Sequence, residues 1–169
     1  MTVWATRAER GAADHAAVRA INLAAFPTPQ EADLVDALRA AGDLLASWLA
    51  VSSGGEPVGS AVLSRCQVGE APALALAPCA VLPAFQRRGA GSAAIVAALG
   101  AARAAGEKVV VVLGHAAYYP RFGFTPAVGH GIRVSFEVPD ENLMVLALDP
   151  ARPLPAGTIR YAPARADLT

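Results

Sequence analysis

The sequence predicts one mixed α/β (α+β) domain, and three observations lead there. Two segments of helical period come first, short strand-like runs around a glycine turn follow, and a strand–loop–helix–strand unit leads into closing strands. The 169 residues suffice for a real core, and 54% hydrophobic against 17% charged residues disfavours disorder.

In order along the chain, Asp14 is placed as the N-cap of a helix whose apolar positions Val18, Ile21 and Ala25 recur at helical spacing. Thr28, Pro29 and Glu31 read as N-cap, first-turn proline and far half of a capping box for a second helix. Its stripe is Leu34, Val35 and Leu38, and Gly42 ends it. The period then changes. Residues 48–52 and 57–64 are strand-like around "SSGGE", whose Gly54 and Gly55 favour a hairpin turn, and 73–81 is a third strand. A small-residue helix is expected over 92–105, closed by Gly106. "KVVVVLGH" reads as a strand buried on both faces, and "AAYYPRFGF" as at most two helical turns before Pro120. Residues 132–136 and 144–148 are the last convincing strands. The domain spans 1–150, and 151–169 is a proline-rich tail with one edge strand at 158–161.

Zero formal net charge and the absence of like-charge runs argue against nucleic acid or a membrane surface as partner. No apolar run reaches the roughly 18 residues of a membrane span. Cys66 and Cys79 lack metal or C-x-x-C spacing and read as free thiols in a reducing compartment; a cytoplasmic protein without a metal site is the expectation.

"FQRRGAGSAA" (residues 85–94) is the stretch that looks built to hold a ligand. Gly89 and Gly91 open a helix start where backbone N–H groups from Arg87 to Ser92 can meet a phosphate, with Arg87 and Arg88 adding charge at the rim. The same letters contain G-x-G-x-x-A, but a dinucleotide fold needs an acidic residue near the end of the next strand. Here that strand ends in Leu113, Gly114 and His115, and Glu107 lies at its other end. A P-loop is excluded because no G-K-[ST] follows. An ordinary helix start with two solvated arginines is the bland alternative.

"VLPAFQRRGAGSA" resembles the V-x-P-x-[FY]-[QR]-x-x-G-x-[GA] signature of the GNAT superfamily of N-acetyltransferases, and "YYPRFGF" is similar to its F-Y-x-x-x-G-F segment. The resemblance extends over residues 3–148, and a compact bacterial branch shares the "FEVPDE"-like stretch. It implies a central mixed, mostly antiparallel sheet flanked by helices and splayed near a coenzyme A site. It implies acetyl-CoA as co-substrate, with pyrophosphate held by Gln86, Arg87, Arg88, Gly89, Ala90, Gly91 and Ser92, and pantetheine and thioester beside Cys79, Ala80 and Val81. A backbone N–H near Val81 would polarise the thioester carbonyl. Tyr119 takes the place of the tyrosine that protonates the departing thiolate. His115, at the end of the buried strand, is the candidate to contact or deprotonate the amine. Glu31, Glu70, Glu137 and Glu141 are further carboxylates that the sequence does not rank. Cys79 reads as a small buried thiol, since the family transfers acetyl directly. The implied acceptor is a small-molecule or peptide amine, and the resemblance admits a homodimer. A catalytically silent coenzyme A-binding or regulatory module of the same fold is the alternative.

Overall fold

A computed structural model describes residues 4–166; residues 1–3 and 167–169, the outer ends of the expected domain and tail, lie outside it. The chain runs β1 (Ala5–Ala8), α1 (Gly11–Ala25), α2 (Gln30–Ala41), β2 (Leu44–Val51), β3 (Pro57–Val68), β4 (Ala71–Val81), α3 (Ala90–Ala104), β5 (Val109–Leu113), β6 (Thr125–Pro126), β7 (Ile132–Arg133), β8 (Leu143–Ala147), β9 (Gly157–Tyr161) and α4 (Pro163–Ala166). Short 3₁₀ turns join several of these. The sheet order is β1-β2-β3-β4-β5-β8-β6, with β9 on the far end of β3 and β7 on β9. Neighbours are antiparallel except β4–β5 and β7–β9. This is the mixed, mostly antiparallel sheet expected.

Alternating residues supply two apolar faces, as the period of a strand dictates. Leu74 and Leu76 of β4 and Val110 and Val112 of β5 pack toward α3, whose buried stripe is Ala90, Ala94, Ile95, Ala98, Leu99 and Ala102. Small residues let this helix lie close to the sheet. At its first turn a Cβ added to Gly59 would sit 3.4 Å from the Ala90 carbonyl oxygen, so a glycine in β3 seats the helix start. On the other face Val18, Ile21 and Val35 of α1 and α2 cover Leu49, Val62 and Ala80. β5 is buried over Val109–Val112, as its continuous apolar run predicts.

Several boundaries differ from expectation, each for a local reason. α1 starts at Gly11 with Arg10 as N-cap; Asp14 sits inside the first turn, accepts from the Arg10 N–H at 2.7 Å and pairs with the Arg7 guanidinium of β1. That guanidinium holds the Asp14 carboxyl below its usual range. α2 begins at Gln30, one residue past Pro29, and the only local cap is the Thr28 hydroxyl accepting from the Gln30 N–H at 3.4 Å. Glu31 makes no capping bond there. Gly42 ends α2 with φ +77°, as predicted. α3 starts two residues early, so Ala90 and Gly91 belong to it. The turn at Tyr119–Phe122 runs through Pro120, because a proline in the first turn needs no N–H partner. β7 stops at Arg133 because its partner β9 pairs with it only through Gly157 and Thr158 before continuing along β3. β1, a four-residue edge strand, carried no periodic signal. No helix among the described residues is long and apolar enough to cross a membrane.

Candidate active site

The site forms where β4 and β5 part. Only Leu74 and Ala75 of β4 pair with β5, at Val110 and Val111. Against β3 the register slips between Leu76 and Cys79, so Ala77 and Pro78 stand opposite the single residue Val62. Such a bulge bends one strand away from its neighbour. Cys79, Ala80 and Val81 stay paired with Ala61, Ser60 and Gly59 on the β3 side, while their β5-facing edge has no strand partner. The wedge between the strands is the splay the sequence implied.

On one side of the wedge lies a cradle of ≈ 340 Å³, lined by Val81, Phe85, Gln86, Arg87 and the first turn of α3 together with Tyr118 and Arg121. The first N–H groups of a helix have no intrahelical partner; here the backbone bonds begin at the Ala93 N–H, which donates to Gly89 O at 3.0 Å. Two residues with positive φ shape the approach: Gly89 at +90° and Arg87 at +63°. For the arginine that conformation costs about 1–2 kcal/mol and needs support from its surroundings. Gln86 supplies some, donating from Nε2 to the Val81 carbonyl at 3.1 Å, and the Trp4 indole donates to the Arg88 carbonyl at 2.8 Å. A Cβ on Gly91 would come within 3.1 Å of Val81 Cγ2, so the cradle has no room for a side chain there. Arg87 lines it; Arg88 is not among the lining residues, and its carbonyl is taken up by the Trp4 indole.

Two cradle residues had no sequence signal. The Tyr118 hydroxyl lies 2.8 Å from Ser92 Oγ at the start of α3, and the Arg121 guanidinium stacks on the Tyr118 ring at 4.3 Å. Tyr118 both packs on the core, edge-on to Phe122 at 5.4 Å, and lines the cradle.

On the other side is a cleft of ≈ 470 Å³. β4 contributes Leu76 to Cys79, the end of β5 contributes Leu113, Gly114 and His115, and the turn after it contributes Tyr119. The opposite wall is Phe26, Gln30, Glu31 and Leu34 from the α1–α2 corner, with Arg165 from α4. Tyr119 is packed edge-on against Tyr118 at 5.1 Å, so the tyrosine pair bridges cradle and cleft. Gly114 makes room for it, since a Cβ there would collide with the Tyr119 ring. Burial, with the neighbouring Cys79 thiol and Tyr118, pushes the Tyr119 phenol well above its usual value, so it stays protonated at neutral pH. Burial likewise pushes Cys79 up to about 12, against the opposing effects of Tyr119 and Arg165. Such a thiol is a poor nucleophile at neutral pH.

His115 is exposed at the mouth, and its carbonyl accepts from the Tyr118 and Tyr119 N–H groups at 3.0 and 3.4 Å. Of the four unranked carboxylates, only Glu31 lines the cleft; its Oε1 is buried without a hydrogen-bond partner. Glu137 lies in a separate groove with Arg133 and Asp140.

The splayed β4–β5 pair, with a glycine-opened helix start at its tip, coincides with a family-wide match: the acetyltransferase (GNAT) family profile covers residues 15–124. The chain belongs to the GNAT acetyltransferase family. An uncharacterised N-acetyltransferase of Escherichia coli K12, YjhQ, is 36% identical over 140 residues, covering 76% of this chain and 75% of that protein. A GNAT acetyltransferase from Brucella melitensis, solved in complex with acetyl-CoA, is 32% identical with a TM-score of 0.79, covering 96% of this chain and 98% of that one. The GNAT family N-acetyltransferase YhbS from E. coli, solved with CoA, superposes with a TM-score of 0.89 at 26% identity, covering 96% and 92%. This GNAT chain therefore carries the family's fold across nearly its whole length.

Proposed function

We propose that this GNAT chain moves an acetyl group from acetyl-CoA directly to a primary amine, with Tyr119 as general acid. The observation that carries the proposal is the half-buried phenol of Tyr119 at the point where β4 and β5 part, beside a cradle a side chain on Gly91 would fill. The residues present fit the co-substrate. The N–H groups at the start of α3, with Ser92, Arg87 and Arg121 at the rim, suit a pyrophosphate. The unpaired edge of β4 from Leu76 to Val81 suits the amide groups of pantetheine, which can add to it as a strand does. Two relatives hold this kind of ligand.

When bound, acetyl-CoA supplies an acetyl thioester, and the protein's part is placement and proton handling. A backbone N–H on the free edge near Val81 stabilises negative charge as it grows on the carbonyl oxygen. The amine nitrogen forms the new C–N bond while the C–S bond breaks. An ammonium acceptor gives up two protons in the process. One replaces the proton Tyr119 donates to the departing sulfur, and the other leaves through the cleft by way of Glu31 or the exposed His115. Cys79 keeps its proton and forms no acyl intermediate.

Calorimetric titration with acetyl-CoA, using NAD and ATP as controls, tests the cradle; release of free coenzyme A thiol in the presence of a primary-amine panel tests transfer. The expectation is micromolar binding of acetyl-CoA alone and amine-dependent thiol release. Binding without release for any amine would leave a coenzyme A-binding module, and no binding by folded protein would remove the cradle assignment.

A further inference from the structure

We infer that the amine this cleft accepts also bears a carboxylate, held by Arg165, with its ammonium end on Glu31 and a compact apolar body between. The inference rests on the transfer activity proposed above and names its acceptor class.

Two opposite charges line the same cleft without pairing to each other. Arg165 Nε and Glu31 Oε1 are both buried, and neither atom has a hydrogen-bond partner among the described residues. A buried polar atom of a charged group is costly unless something satisfies it. A zwitterionic ligand would meet both charged groups at once, through the atoms they turn to the cleft. The Arg165 guanidinium is positioned over the face of the Tyr161 ring, at 4.7 Å. A carboxylate is the partner whose geometry a planar guanidinium fork matches. Phe26, Leu34, Leu76 and Leu113 supply the apolar part of the cleft's lining. The volume of ≈ 470 Å³ suits an amino acid or dipeptide with an apolar side chain. It disfavours polyamines, whose second cation would meet Arg165.

The test is acetyl-CoA-dependent thiol release with matched series: apolar α-amino acids and linear amino acids from glycine to 6-aminohexanoate, their carboxamides, and the corresponding plain alkylamines. The expected result is kcat/KM at least about tenfold higher for the best carboxylates than for their carboxamides. Arg165→Gln should collapse that ratio to below about threefold, Arg165→Lys should restore part of it, and Arg133→Gln, in the separate groove, should leave it intact. Thermal melts establish that each variant is folded; should Arg165→Gln not fold, the carboxylate-to-carboxamide ratio of the unaltered protein decides alone. Carboxamides or plain amines turned over as well as carboxylates would overturn the inference and leave amine acetylation standing. Acetyl-CoA binding with no amine of any series acetylated would overturn both.

Discussion

The cradle and the cleft share the Tyr118–Tyr119 pair yet are assembled by opposite means. The cradle comes mostly from consecutive residues, 81 to 92, and offers backbone N–H groups set by the φ angles of Arg87 and Gly89. The cleft draws side chains from four stretches of chain, 26–34, 76–79, 113–119 and Arg165. A backbone site suits a ligand common to many relatives, because its donors survive changes of side chain. A dispersed side-chain site can change one wall without disturbing another, and under the proposed function it is where acceptor choice would reside.

Three experiments sharpen this division. The largest effect belongs to the tyrosine of that pair that lines the cleft. Tyr119→Phe should lower kcat by about 10²-fold while acetyl-CoA affinity changes less than about twofold, since the phenol serves chemistry and not the cradle. Equal losses in both would merge the two sites into one. Next, Gly91→Val should weaken acetyl-CoA binding about tenfold with little effect on kcat at saturation, because the added side chain meets Val81 and fills the cradle. A loss confined to kcat would place Gly91 with the chemistry instead.

The smallest effect is one of pH. Burial raises the Tyr119 pKa above its ordinary value near 10, so the proton of the proposed acid is present below that pH and is lost only as pH rises through the higher folded-state value. kcat should therefore stay flat from about pH 8 to 10, measured with buffer and ionic strength held constant. An alkaline limb inside that window that disappears in Tyr119→Phe would break the assignment of a buried acid.

The same division explains what the sequence made legible. "VLPAFQRRGAGSA" displays the cradle because its glycines, arginines and helix start adjoin in the chain, and "YYPRFGF" fixes Tyr119 by position in a motif. Trp4 escaped notice because it reaches the loop from 84 residues away, through one indole hydrogen bond. The place of Tyr118 in the cradle was not legible because Ser92, its hydroxyl partner, lies 26 residues back. Glu31 was misread: three residues after a threonine it has the spacing of a cap, but α2 starts at Gln30 and the carboxylate turns to the cleft. Arg165 sits in a proline-rich stretch that reads as loop, yet β9 pairs with Cys66–Val68 and carries α4 against α2. The strand over 132–136 had the right alternation but lacked a partner beyond Arg133. Local pattern predicts what a segment can form; pairing decides how much of it forms.

The indole of Trp4 has one further consequence. The chain has two tryptophans, and Trp48 lies in β2, within the sheet. Trp4 is bonded to the loop that frames the cradle, with its Nε1 3.7 Å from where a Cβ on Gly89 would sit. The protein thus contains its own optical reporter: in a Trp48→Phe background, emission at Trp4 follows occupancy of the cradle without a dye, a coupled enzyme or turnover.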